Sequence, residues 1–195
     1  MLCILLLTQL CFIVLAFVIN KKGFLPDNFM FIALALFGYI YYDKLKINSI
    51  ILALANSYFA LHAFGVLDFY NLNFFSIPFD KIIHFYGFFI IGIMYFNLFR
   101  DRFKGFSFFW TVILCAAGIG SLVEVSEYLG YVFLGEGPGF LMYGPGDGMT
   151  LSDKFSNSWQ NSATDMIANT TGAIAGFIFM QYIPISQRRN SNKSS

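Results

Sequence analysis

The sequence predicts an all-α polytopic membrane protein, with about six transmembrane helices packed in one bundle. Four observations support this prediction. Of the 195 residues 57% are hydrophobic, only 12% are charged, and the mean hydropathy is +0.66. A soluble domain carries about 25% charged residues, because its surface must be hydrated. The apolar residues also fall in long blocks, which excludes a disordered chain, a coiled coil and a nucleic-acid-binding protein.

Six apolar segments are long enough, or nearly so, to cross a bilayer, which requires about 20 residues in a helix. The second is the shortest, so it must stay nearly upright or include Phe24 and Leu25 if it spans. We expect spans at Met1–Ile19, Asn28–Tyr42, Ile47–Leu67, Ile82–Phe99, Gly105–Val132 and Thr164–Ile183. The first segment lacks a basic leader and a small-residue cleavage site, so we interpret it as a retained helix.

Six spans place both termini on one side of the membrane, and the distribution of basic residues predicts which side. The side of the termini holds Lys44, Lys46, Arg100, Arg102, Lys104, Arg188, Arg189 and Lys193. The other side holds Lys21, Lys22, Lys81 and Lys154. We therefore expect a multi-pass protein of a prokaryotic plasma (inner) membrane with both termini in the cytoplasm.

The chain reads as one helical domain over residues 1–186. Residues 135–160 form a glycine-rich stretch with two prolines, which favours a loop on the outer side. Residues 187–195 are polar and predict a disordered cytoplasmic tail. The three cysteines lie inside apolar blocks without a metal-binding spacing, so they read as small hydrophobic residues.

In this topology, ionisable side chains from several spans fall at one depth in the outer half of the membrane. The candidate site residues are Asp80, His84, Glu124, Glu127, Asp165 and Asn169, with His62 as a weaker candidate. Intramembrane ionisable residues cost about 3 kcal/mol each on insertion scales, so they must face one another or a wet cavity. Two interpretations stay open. The residues form a functional site, or they are interhelical hydrogen bonds that hold the bundle together. Glu127 could also lie at the lipid headgroups and be solvated.

Two short motifs resemble a known family. Asp80-Lys81-Ile82-Ile83-His84-Phe85 resembles the D-K-x-x-H-F motif of VanZ-like membrane proteins. The stretch from Asp165 to Gly172, with Gly176 beyond it, is similar to their D-x-x-x-N-x-x-G-x-x-x-G ending. The Glu-x-x-Glu pair and the long glycine-rich loop are more similar to YjdF-type inner-membrane proteins. The resemblance implies the fold, the membrane location and the identity of the site residues, without implying a particular reaction.

Three functions remain open. The first is a site that binds or processes an envelope lipid or a lipid-linked cell-wall precursor, with carboxylates and His84 in acid/base or divalent-metal chemistry. The second is a small proton-coupled transporter, and the third is a structural or accessory subunit. The bilayer is the expected partner, nucleic acid is not, and no motif identifies a cofactor. Convergence of the His84, Glu124 and Asp165 side chains within about 6 Å around a cavity open to the outer face would favour a site. Side chains that point to different helix contacts would favour interhelical hydrogen bonds.

Overall fold

The computed structural model describes residues 2–21, 25–134 and 156–182. Within these ranges the chain forms six α-helices joined by short connections. They are α1 (Leu2–Val18), α2 (Leu25–Ile40), α3 (Ser49–Ala63), α4 (Phe79–Phe99), α5 (Gly105–Leu134) and α6 (Ser156–Tyr182). A 3₁₀ turn over Phe64–Leu67 continues α3. The predicted all-α bundle is therefore confirmed.

The connection between α3 and α4 contains the strands of the described region, β1 (Asn73–Phe74) and β2 (Ile77–Pro78), which pair as a hairpin. The turn residues Phe75 and Ser76 both have positive φ, 50° and 66°, as a tight two-residue hairpin turn requires. The hairpin leads directly into Phe79 at the start of α4. It thereby fixes where the first turn of α4 begins.

The closest helix contact is between α4 and α6, and glycines make it possible. A methyl group added at Gly172 would collide with the carbonyl oxygen of Phe85, and one at Gly176 would collide with that of Phe89. Small residues at four-residue spacing allow this backbone approach in membrane helices.

An apolar core fills the middle of this interface. Val112 and Ala173 are fully buried, and the rings of Phe96, Phe108 and Phe177 pack edge to face or tilted, with centroids 4.9–5.2 Å apart. Many large apolar side chains instead lie exposed on the outside of the bundle. That pattern suits a surface solvated by lipid tails.

Three segments of the described chain are long and apolar enough to cross a membrane, namely Ser49–Leu67, Phe79–Phe99 and Gly105–Leu129. The helices α1 and α2 are apolar but shorter. The helix α6 is outside this group, since its first turns carry several polar side chains. The count of six spans therefore remains a prediction.

Several boundaries differ from those that the sequence predicts. The expected loop ends before residue 156, because Ser156–Gln160 already belong to α6. Neither glycine nor proline occurs from Ser156 to Thr171, so no such residue interrupts the first turns of α6. The helix α2 begins at Leu25, three residues before the predicted start. The rest of the glycine-rich stretch, residues 135–155, and the tail, residues 187–195, lie outside the described residues.

Candidate functional site

The polar residues of α4 and α6 occupy the ends of these helices that lie next to each other. Asp80 and His84 are four residues apart in the first turns of α4, so they share one face of the helix. Asn161, Asp165 and Asn169 repeat the same spacing along α6. Because the glycine contacts hold the two helices close, these two polar faces meet.

Lys81 lies at the centre of this meeting. Its Nζ donates hydrogen bonds to Asp80 Oδ2 at 2.9 Å, to Asp165 Oδ1 at 2.7 Å and to Asn161 Oδ1 at 2.5 Å. The ammonium group thus uses its three donors on three acceptors from two helices. Lys81 connects α4 to α6 and gives both carboxylates a fixed partner.

The imidazole ring of His84 is surrounded by polar groups from α4, α5 and α6. Its Nδ1 lies 3.0 Å from Asn169 Oδ1 and 3.7 Å from Glu124 Oε1, which comes from α5. Its Nε2 lies 3.4 Å from Asp80 Oδ1 and 3.6 Å from Asp165 Oδ1. His84 therefore lies within 6 Å of both Glu124 and Asp165. We call Asp80, Lys81, His84, Glu124, Asn161, Asp165 and Asn169 the polar cluster.

The innermost members of the polar cluster are almost fully removed from the surface. Asp165 is 0%, Asn169 1% and Glu124 3% exposed. Within the described part of the chain, Asp165 Oδ2 and Asn169 Nδ2 have no hydrogen-bond partner. A buried polar atom without a partner costs about 1–3 kcal/mol. These atoms therefore leave the cluster with unused capacity to bind a ligand.

A cavity of about 900 Å³ opens beside the polar cluster. At the cluster end its wall contains Asp80, His84, Asn161 and Asp165. Away from the cluster the wall is mostly apolar and aromatic, and it reaches Tyr95 near the far end of α4. The volume falls within the range of about 300–1,000 Å³ that is usual for ligand sites.

Two further predicted residues line this cavity outside the polar cluster. Glu127, one turn beyond Glu124 on α5, is half-buried in the wall. His62 of α3 is buried, and its ring packs edge-on against those of Phe31 and Tyr70, with centroids 4.8 and 5.6 Å away. The structure thus groups Asp80, His84, Glu124, Asp165 and Asn169, and it places Glu127 and His62 around the same space.

Two members of the polar cluster were missed by the sequence analysis, Lys81 and Asn161. Both carried a usable signal. Lys81 directly follows Asp80 and forms part of the D-K-x-x-H-F motif, and Asn161 precedes Asp165 by four residues. The sequence indicates Lys81 as a cation on the outer side but does not place it in the site, and Asn161 follows the predicted loop and precedes the predicted sixth span.

The arrangement has definite chemical capabilities. Carboxylates that face an imidazole can exchange protons with a bound molecule. The same oxygen and nitrogen atoms are typical ligands of divalent metals. A single ammonium group, by contrast, is a weak anion clamp compared with paired arginines.

The fold and its buried polar cluster define a class, namely all-α membrane bundles with an ionisable site between the helices. The family model described as "Predicted membrane protein (DUF2238)" matches residues 1–184, and the chain belongs to this family. No match was found among curated proteins or among solved structures. The family match establishes a membrane protein, while the VanZ-like and YjdF-type resemblance stays a prediction.

Proposed function

We propose that this protein is a multi-pass plasma-membrane protein that binds an amphiphilic envelope lipid or lipid-linked precursor. The headgroup contacts the polar cluster in the outer half of the bilayer, and the tail lies in the adjoining cavity. Both termini are on the cytoplasmic side in this proposal. The groups that bind the headgroup are also suited to transfer protons to or from it.

The main support for the proposal is that one cavity joins a charged surface to a long apolar surface. One cavity has charged side chains such as Asp80 and Asp165 at one end and apolar walls along the rest of its length. A small polar solute would leave the apolar part unsatisfied, and a plain hydrocarbon would leave the charged part unpaired. An amphiphile satisfies both.

The length of the cavity indicates a long tail. Asp80 and Tyr95 line opposite ends, and at ~1.5 Å per residue they are about 22 Å apart along α4. A bilayer's hydrocarbon core is ~30 Å thick, so one leaflet supplies about half of that. A tail that fills the cavity therefore extends past the middle of the bilayer.

The residues of the polar cluster limit the kinds of headgroup that can bind. Carboxylate oxygens outnumber cationic donors, because the cluster contains Asp80, Glu124 and Asp165 but a single lysine. Carboxylates accept hydrogen bonds and donate none when ionised. This supports a headgroup rich in hydroxyl or amino groups, such as a sugar or an aminoacyl group.

Mass spectrometry of the protein extracted in native lipid discs tests the proposal. We expect one lipid species to be enriched over the bulk membrane lipids. Ala55 lines the cavity, and the larger side chain of Ala55→Phe should expel that lipid. Ala53→Phe is the matched control, because Ala53 is two residues away on α3 and exposed outside the bundle. Equal lipid content in both variants would refute the proposal.

A proton-coupled transporter is the second candidate. One observation favours it. The cavity wall also includes Asp43, which follows α2 at the end of the bundle remote from the polar cluster. The intervening wall is apolar, which suits a lipid tail better than a proton path. Vesicles that contain the purified protein should show no proton flux if the lipid proposal is correct.

A further inference from the structure

We infer that Asp80, His84 and Asp165 bind a divalent transition-metal ion at the end of the cavity. One ligand atom from each residue lies within 4.8 Å of the others. The inference rests on the proposed function in one respect. The cavity leaves room at the metal for a further ligand, which would be supplied by the lipid headgroup or by water.

The distances suit a tetrahedral centre. His84 Nε2 lies 3.4 Å from Asp80 Oδ1 and 3.6 Å from Asp165 Oδ1. Nitrogen and oxygen ligands about 2.0–2.2 Å from Zn²⁺ in tetrahedral geometry are about 3.3–3.6 Å from each other. Two of the three edges therefore have the required length already. A small approach of the two carboxylates completes the third. Asp165 Oδ1 also accepts the hydrogen bond from Lys81, and its second lone pair remains for a metal.

The neighbours of these ligands are those that a metal site requires. Asn169 Oδ1, 3.0 Å from His84 Nδ1, is an acceptor for the proton on that nitrogen. Glu124 Oε1 lies 3.7 Å from the same nitrogen, so its negative charge also favours a proton there. A proton held on Nδ1 leaves the lone pair of Nε2 free for a metal, and metal-binding histidines commonly donate their other N–H to such an acceptor.

Lys81 holds both carboxylates in place and leaves one oxygen of each outside its hydrogen bonds. It bonds Asp80 through Oδ2, so Asp80 Oδ1 remains available on the side of His84. Asp165 is bonded through Oδ1, while its Oδ2 has no hydrogen-bond partner in the described residues and the residue is 0% exposed. This buried, unused oxygen is evidence for a ligand that is independent of the acidic grouping itself.

The charge of the site also fits a divalent ion. At their ordinary charges, Asp80, Glu124 and Asp165 carry three negative charges and Lys81 carries one positive charge. With His84 neutral, the formal charge is −2, which one divalent cation neutralises. One imidazole with two carboxylates suits Zn²⁺ or Mn²⁺ better than soft ions, which select thiolates.

Metal content measures this inference directly. The full-length protein is purified in detergent, stripped with chelator, reloaded with Zn²⁺ or Mn²⁺, dialysed and analysed by elemental mass spectrometry. We expect about one ion per chain in the wild type. His84→Gln and Asp165→Asn should lose it. Asn169→Ala, which keeps all three ligands, should weaken affinity about 10- to 100-fold. Asp101→Asn, outside the site, should bind as the wild type does.

Melting temperature supplies a readout that needs no variant. Added Zn²⁺ or Mn²⁺ should raise the melting temperature of the stripped wild type, because a ligand of the folded state stabilises it. A wild type that retains no ion and shows no shift would overturn the inference. Equal retention in His84→Gln and Asp165→Asn would do so too, since that ion is adventitious.

The two proposals fail separately. Lipid enrichment in a protein that binds neither ion would refute the metal inference and support the lipid proposal. One bound ion without an enriched lipid would refute the proposed function and support the metal inference.

Discussion

Two Lys–Asp pairs at different places in the bundle have nearly the same geometry and very different surroundings. Lys81 and Asp165 are 2.7 Å apart, with side chains 17% and 1% exposed. Lys46 and Asp101 are 2.6 Å apart, with side chains 38% and 66% exposed. The second pair joins the turn after α2 to the turn after α4, at the end of the bundle remote from the polar cluster.

The comparison shows that burial, and not the N–O distance, determines how strongly the two charges of an ion pair depend on each other. The exposed pair competes with water and is worth about 0–1 kcal/mol. The buried pair has lost its water, so each charge depends on its partners. A protein that keeps such charges buried needs either a structural or a functional reason. The adjoining cavity supports the functional one.

The largest expected effect comes from removing the buried cation. Lys81→Met leaves Asp80 and Asp165 without their shared donor, and we expect a loss of about 3 kcal/mol in the free energy of unfolding in metal-free buffer. Chemical denaturation in detergent measures it. Lys46→Met is the matched control and should cost no more than about 1 kcal/mol. Equal losses would show that burial does not distinguish the two pairs.

The second prediction concerns the close packing of α4 and α6, which brings the polar cluster together. Gly176→Ala would press its methyl group onto the carbonyl oxygen of Phe89, and such overpacking costs about 1–3 kcal/mol. In Gly118→Ala on α5 the methyl group meets nothing within 4 Å. That control should be neutral or more stable by up to about 1 kcal/mol. Thermal melting of the two variants should therefore change in opposite directions or differ clearly in size.

The smallest effect concerns the exposed pair and pH. The hydrogen bond from Lys46 lowers the pKa of Asp101 below its ordinary value. A carboxyl with a lowered pKa stabilises the fold above its ordinary pKa of about 3.9 and loses this contribution as pH falls through the lowered pKa. Asp101→Asn should therefore melt slightly below the wild type at pH 6. The difference should shrink toward pH 3, and a difference independent of pH would contradict this account.

The sequence predicted those parts of the site that follow from helix periodicity. Asp80 with His84, and Asp165 with Asn169, share helix faces because of their four-residue spacing, and the basic residues suggested that the two faces lie at one end. The direction of Lys81 could not be predicted, because a lysine at the start of a membrane helix commonly extends toward the headgroups. Its three acceptors appear only when α4 and α6 are packed together.

The remaining features depend on packing between distant segments. Whether Glu124 or Glu127 contacts His84 depends on how α5 is rotated about its axis, and α5 is apolar around most of its circumference. The cavity depends on how α3 and α4 are separated, which no local pattern specifies. The hairpin before α4 depends on positive φ values at Phe75 and Ser76, residues that do not usually signal such a turn.

Photocrosslinking tests the central claim, that the polar cluster and the cavity form one site for an amphiphile. The probe is a single-chain lipid with a sugar headgroup and a diazirine near the end of its tail, added to the protein in lipid discs. We predict crosslinks to residues that line the far part of the cavity, such as Ala55 and Met94. Crosslinks only to exposed outer positions, such as Leu114 and Leu122, would contradict the account.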